Sequence, residues 1–380
     1  MANRVAIVAV SQIKHDDVLN KNVREEATYE VSKDVLDQIG MHRDELDTVI
    51  TSSSDFWTGI SISNSFLYEA SGAYLKDSSK PEEDGAFAFL YAVMRIMSGH
   101  FDIALVQAIM KASEIPGLST LTNLYADPFF QRPAGLDDVS TAAMQARLYM
   151  DEYGITEEQA AKVVVKNLGN AVNNPYAHKK GKISVDDVLH SEVVAYPIKS
   201  LDCAPYSDGT CAMILASEEK AKKLTNTPVW VKGMGWCVDH QFFGDRELLN
   251  GGLRKAAKRA YSMANITEPV KELDAAEICE PYSFQELLWY EQLGFCGSGE
   301  GGKLIDNGFT SMGGRLPVNA SGGVLANNPY IARGLIRVGE AALQVMGKAG
   351  DRQVPGVKTA LAHSTHGFAG QLHSVIVLGT

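Results

Sequence analysis

Residues 86–97 read AFAFLYAVMRIM, Ser98-Gly99 follows, and residues 103–110 read IALVQAIM. The first run is apolar with helical spacing and is entered through the acidic cluster Glu82, Glu83, Asp84, whose charges suit a helix N-terminus. Ser98-Gly99 stops it, and the second run has the length and composition of a buried strand. Near the other end the order recurs: a helix expected from about Tyr330 to Met346 (YIARGLIRVGEAALQVM), a Gly-containing connection, and a strand from Val357 to Ala362. Each unit then closes on a further apolar strand, Cys211 to Ala216 in the first and Ser374 to Leu378 in the second. Such self-similarity predicts a duplicated α/β unit.

Working outward, Val5 to Val10 is a strand candidate, Val23 to Ile39 a helix, and Asp47 to Ile50 a short strand. Between the strand at 103–110 and the closing strand lie about a hundred residues of different character, with helices expected at Ser140 to Glu152 and Glu157 to Asn173 and turns around Asn174-Pro175. An insertion of that length in a compact domain is more often a lid or binding segment than a passive connection. The charged helix Glu218 to Lys223 ends the first half, so the expected organisation is 1–226, with an inserted segment of about 114–200, and 227–380.

The 380 residues exceed what one core usually supports, which agrees with two halves. Hydrophobic residues make up 45% and charged residues 21%, an ordinary globular composition. A formal net charge of -11 argues against a nucleic-acid-binding surface, which demands clustered Lys and Arg. No apolar run reaches the roughly 18 to 20 residues of a membrane span, and the N-terminus lacks a basic segment followed by an apolar one, so no membrane role and a cytoplasmic location are expected. The five cysteines form no Cys-x-x-Cys pair, so neither a disulfide framework nor a metal knuckle is indicated.

Several segments resemble the thiolase superfamily, and its sterol-carrier-protein-type and archaeal branches above all. They are Tyr153-Gly154-Ile155-Thr156 with Lys166-Asn167 and Asn174-Pro175-Tyr176-Ala177-His178; Leu201-Asp202-Cys203-Ala204-Pro205-Tyr206-Ser207-Asp208-Gly209; Leu293-Gly294-Phe295-Cys296 through Gly299-Glu300-Gly301-Gly302; and Pro317-Val318-Asn319-Ala320-Ser321-Gly322-Gly323. With the repeated helix-strand units they span nearly the whole chain. The resemblance implies an α/β thiolase-like fold of two βαβαβαββ halves in five layers (α-β-α-β-α) with an inserted loop domain, and a homodimer. It also implies acyl-CoA as ligand, with coenzyme A as a substrate moiety rather than a bound cofactor, no metal, and chemistry at a carbon-carbon bond next to the thioester.

Four positions depart from the family pattern. Where thiolases place a nucleophilic Cys ahead of the first buried helix, this chain has Glu82 within the Pro81-Glu82-Glu83-Asp84-Gly85 turn. Glu82 and Asp84 are read either as helix caps or as substrate contacts. Where the family has a Gly-His-Pro base, the turn reads Asn327-Asn328-Pro329-Tyr330, so Asn328 is either a turn former or a donor to a thioester oxygen, with Tyr330 beside it. Where the family has Asn-Glu-x-Phe or His-Asp-x-Phe, the chain reads Cys279-Glu280-Pro281-Tyr282. Cys279 is then an inert buried thiol, a relocated nucleophile with Glu280 or a histidine as proton acceptor, or a substrate contact. The fourth loop is expected to hold His363 and His366, general acid or base candidates, with His373 structural and Gly367 and Gly370 allowing close approach to a ligand. Cys203, Cys211 and Cys296 are read as packing residues.

Two functions of different kinds follow from the resemblance. One is an enzyme acting on a bulky, steroid-derived or aromatic acyl-CoA, by β-ketoacyl thiolysis or by a retro-aldol cleavage that needs no acyl-enzyme, alongside a small OB-fold partner with a zinc ribbon. The other is a non-catalytic subunit of a CoA-dependent complex that keeps the fold while a partner does the chemistry.

Overall fold

The computed structural model describes residues 4–19, 23–82 and 84–380. In the first half, strands β1 (Val5–Gln12), β2 (Thr48–Ser52), β3 (Asp77–Ser79) and β4 (Ile103–Lys111) alternate with helices α1 (Arg24–Asp37) and α2 (Gly85–Met97). The inserted segment carries α3 (Asp138–Tyr153), α4 (Glu157–Ala171) and a small hairpin of β5 (Val193–Ala195) and β6 (Ile198–Lys199). The first half then closes on β7 (Asp208–Ser217) and α5 (Glu218–Leu224). The second half runs β8 (Val229–Val238), α6 (Leu253–Ala264), β9 (Ala275–Glu277), α7 (Ser283–Gln292), α8 (Arg333–Met346), β10 (Thr359–His366) and β11 (Leu372–Gly379).

Nine strands form one sheet in the order β3-β2-β4-β7-β1-β8-β11-β10-β9, with the halves joined where β1 meets β8 antiparallel. The order is a mirror: β7 lies between β4 and β1 as β11 lies between β10 and β8, and β2 matches β9. The counterpart of β3 is reduced to a single parallel bridge, Ala276 to Val318. Alternation along the closing strands builds the layers. On β7, Cys211, Met213 and Leu215 face the buried helices α2 and α8, while Ala212, Ile214 and Ala216 face α1. On β11, Ile376 and Leu378 face α2 and α8, while Val375 and Val377 face α6. The result is five layers, α-β-α-β-α, with α2 and α8 packed together at the centre. These strands are buried on both faces, which is why they read as unbroken apolar runs.

Local sequence sets the helix starts. Asp84 caps α2 by accepting from the Ala86 N–H at 2.8 Å. Asp137 caps α3 by accepting from the Ser140 N–H at 2.7 Å, and Thr156 caps α4. The insertion interrupts the first half yet packs on the second: Ala142, Ala146 and Tyr149 of α3 and Ala160, Val163 and Val164 of α4 share a core with Leu287, Leu288 and Trp289 of α7. Each such fully buried large side chain contributes roughly 1.5–3 kcal/mol of apolar transfer. No helix among the described residues is long and apolar enough to cross a membrane.

Two expected boundaries shift. The helix expected from Tyr330 begins at Arg333, because residues 329–332 form a turn in which the Pro329 carbonyl accepts from the Ala332 and Arg333 N–H groups. The strand expected to end at Ala362 continues to His366, paired residue by residue with β11. His363 and His366 therefore lie on a strand and not in a loop, and Gly367 and Gly370 make the tight turn that follows, each with φ of +75°.

Candidate active site

The starts of α2 and α8 meet. The Gly85 N–H donates to the Ile331 carbonyl at 2.8 Å, and Asp84, fully buried, accepts a short hydrogen bond from the Ser364 hydroxyl of β10. Burial raises the Asp84 pKa, opposed by the Ser364 bond and by Arg333. A cavity of about 230 Å³ opens beside this junction between the inserted segment, the turn at 281–282 and the chain from Asn328 to Arg333. Its wall includes Asp138, Cys203, Tyr206, Tyr282, Asn328 and Arg333, with Tyr330 beside them.

Arg333 is the central charge. It is 3% exposed, donates to the Thr365 carbonyl at 2.8 Å and to Asn328 Oδ1 at 3.4 Å, and stacks over the Tyr330 ring at 4.4 Å. Burial opposes its charge, but Cys279, Tyr330, Asp84 and Asp138 outweigh that and hold the guanidinium ionised. Its Nε finds no partner among the described residues. With Asn328 Oδ1 turned to Arg333, the Asn328 –NH2 is the end a ligand oxygen can use.

Cys279 is buried behind this wall. Its Sγ faces the Thr365 carbonyl at 3.9 Å, and burial pushes its thiol up to about 11 although Arg333 pulls the other way. Its N–H donates to His363 Nδ1 at 3.4 Å, and His363 Nε2 lies 3.0 Å from His373 Nδ1. That fixes the tautomers: with Nδ1 accepting, His363 donates from Nε2, and His373 points its own N–H at the Gly370 carbonyl. Both ring nitrogens of His363 are thus engaged by the protein. His366 differs. Its Nε2 lies 3.4 Å from the Tyr125 hydroxyl, its ring packs on Tyr330, and its Nδ1 is buried without a partner among the described residues. Burial, with Arg333 nearby, lowers it to about 3, so it is neutral.

Other residues singled out from sequence lie elsewhere. Glu280 points away from Cys279, as alternation along an extended segment requires, and accepts from the Asn167 amide at 3.0 Å and the Leu325 N–H at 3.1 Å. Burial and Glu286 raise it well above the usual carboxylate range. Glu82 is exposed and paired with Lys80 at 3.2 Å, and Glu83 lies outside the described residues. Gly370 is crowded by the Trp289 ring and His373, and Gly367 by Gln371, so both shape the turn. Cys203 is not simply core: it faces the cavity, with burial pushing its thiol up to about 12.

Sequence reading missed Arg333 and Asp138. The signal for the first was present: Arg333, Arg337, Glu340 and Gln344 recur on one face of a helix whose other side chains are apolar, and a cation in a helix's first turn opposes the helix dipole. Asp138 sits beside a true cap, Asp137, and reads as part of it.

The architecture of mirrored half-sheets around paired helices, closed by an insertion over a polar cavity, is that of the thiolase class. Residues 235–380 match the family described as Thiolase C-terminal domain-like. The chain is 32% identical over 376 residues to an acetyl-CoA acetyltransferase of Methanothermobacter thermautotrophicus, covering 96% of this chain and 97% of that one. It is 36% identical over 224 residues to sterol carrier protein 2 of Oryctolagus cuniculus, covering 57% of this chain and 41% of that protein. The solved structure of the Ltp2-ChsH2(DUF35) aldolase superposes with a TM-score of 0.85 at 23% identity over 99% of this chain and 98% of that one, a likeness of fold. The chain belongs to the thiolase superfamily, on the side of its archaeal and sterol-carrier-protein-type members.

Proposed function

We propose that the chain binds an acyl-CoA in the cavity beside Arg333 and cleaves or forms the carbon-carbon bond next to the thioester, with retro-aldol cleavage of a β-hydroxyacyl-CoA as the favoured direction. The observation that carries this reading is a buried guanidinium at a cavity that has no activated thiol. Arg333 and the Asn328 amide are donors for an enolate oxygen. The two nearby thiols, Cys279 and Cys203, sit at about 11 and about 12, too high for nucleophiles at neutral pH. A carboxylate-led proton transfer needs neither. Tyr206, Tyr282 and Tyr330 offer flat, amphipathic surface, which suits a bulky, ring-bearing acyl group. His366 leaves its Nδ1 without a protein partner among the described residues, while the His363–His373 pair acts as packing. None of Glu82, Asp84, Gly367 and Gly370 is assigned to the reaction: Asp84 caps α2, the two glycines make the β10–β11 turn, and Glu82 pairs with Lys80.

A homodimer is proposed as the core assembly, and a small OB-fold, zinc-ribbon chain as its partner, a reading supported by the similar aldolase being named for two proteins, Ltp2 and ChsH2(DUF35). The high thiols also favour a second reading, a non-catalytic subunit. Purified chain, alone and with the product of a neighbouring gene, is given β-hydroxyacyl-CoA and β-ketoacyl-CoA. Release of an aldehyde or ketone without added free CoA supports the aldolase reading; a requirement for free CoA supports thiolysis. Turnover that survives Arg333→Met and Asn328→Ala defeats the site assignment.

A further inference from the structure

We propose that Asp138, contributed by the inserted segment, is the proton-transfer group of the cavity, held in place by the Tyr330 hydroxyl. The proposal rests on the thioester reading above and names the group that would serve it. Asp138 is the first residue of α3, partly exposed, and lies in the cavity wall. Its backbone N–H donates to Thr122 Oγ1 at 3.1 Å, and its Oδ2 accepts from the Tyr330 hydroxyl at 3.3 Å. Among the described residues no other donor reaches the carboxylate, so Oδ1 is open to a ligand.

The bland account of an acidic residue at a helix start is capping, and here Asp137 does that work. Asp138 is left with a different environment, faced by Arg333, Tyr330, Tyr125, Tyr206, Tyr282 and Asp137. Burial pushes its pKa up to about 6, opposed by Arg333 and the Tyr330 bond and aided by Asp137. A group there gives and takes protons near neutral pH, whereas His366 at about 3 is a far weaker base.

In the proposed step the β-hydroxyl proton passes to Asp138 Oδ1 as the oxygen becomes a carbonyl. The Cα–Cβ bond breaks, and its electron pair goes to Cα and the thioester oxygen as an enolate facing Arg333 and Asn328. The proton on Asp138 then moves to Cα. No oxidant or co-reactant is consumed.

The test uses the full chain and a β-hydroxyacyl-CoA, from about pH 5 to 9. Because the ionised carboxylate is the active form, wild-type kcat rises about tenfold per unit below its pKa and levels above it. Asp138→Asn is expected to lower kcat by about 100-fold to 10,000-fold, leave KM within about threefold, and abolish the acid limb. Tyr330→Phe removes a bond that lowers the pKa, so the limb moves to higher pH, a change that a structural role would not produce. A folded Asp138→Asn that keeps its kcat within about threefold and retains the limb overturns the assignment while leaving the thioester reading intact. If Asp138→Asn does not fold, an unshifted limb in Tyr330→Phe overturns it. A wild-type chain that neither turns over nor binds any CoA ester removes the thioester reading and, with it, this one.

Discussion

The two halves bring equivalent helices to the same point with opposite charge. In the first half α2 starts at a buried carboxylate, Asp84, and its partner strand β4 ends in Ile109, Met110 and Lys111. In the second half α8 starts with a buried guanidinium, Arg333, and the equivalent strand β10 ends in Ser364, Thr365 and His366. The backbones mirror each other, so duplication fixes where these side chains point. What differs is their chemistry: the first half supplies a cap, and the second supplies the donors and imidazoles. The contrast teaches that in a repeated fold the departures from the repeat, more than the repeat itself, mark the site.

The comparison breaks most sharply at Arg333. Arg333→Met is expected to lower kcat/KM on the order of 100- to 1,000-fold, with Arg333→Lys recovering part of the loss, as steady-state rates on a folded variant would show. Loss of the same size in Lys111→Met, at the end of the first half's strand, would contradict the asymmetry. The next effect lies in the contact between the halves. A Cβ on Gly334 would meet Ser364 Oγ at 2.5 Å and Asp84 Oδ2 at 2.6 Å, so Gly334→Ala is expected to destabilise by about 1–3 kcal/mol in urea unfolding. Gly169 in α4 has open space around it, and Gly169→Ala is expected to stabilise by about 0.5–1 kcal/mol. The smallest effect is at Cys279. With the thiol at about 11, roughly one molecule in ten thousand is thiolate at pH 7, so Cys279→Ser is expected to keep turnover within about threefold. A collapse of turnover with normal folding would restore Cys279 as nucleophile.

The fold was legible because its central strands are covered on both sides: residues 5–10 and 211–216 read as unbroken apolar runs, 103–110 is broken only by Gln107, and the helix at 86–97 is apolar but for Arg95 in its last turn. The site was legible only where a turn motif carried it, as at Asn328-Pro329-Tyr330 and at Tyr282. The His363-Ser364-Thr365-His366 stretch reads as a loop because its polar residues hide a strand, one whose pairing is set by β11 and not by hydropathy. Cys279 and Glu280 are adjacent in sequence, yet neighbours on an extended chain face opposite ways, and only the first lies near Arg333. Asp138 was invisible for another reason. Its environment is assembled from α3, the 328–333 segment and the loop before it, and no local pattern encodes that meeting.

Four buried imidazoles in the two halves share one electrostatic fate. His366 and His373 are lowered to about 3, His15 to about 4, and His363 well below its ordinary value, all by burial first. Histidine is the residue that ordinarily changes charge between about pH 5 and 8. Here burial drives all four toward the neutral form, so the β10–β11 hairpin carries three imidazoles, His363, His366 and His373, without adding charge beside Arg333. In imidazole NMR spectra their tautomeric signatures should remain constant while the surroundings acidify.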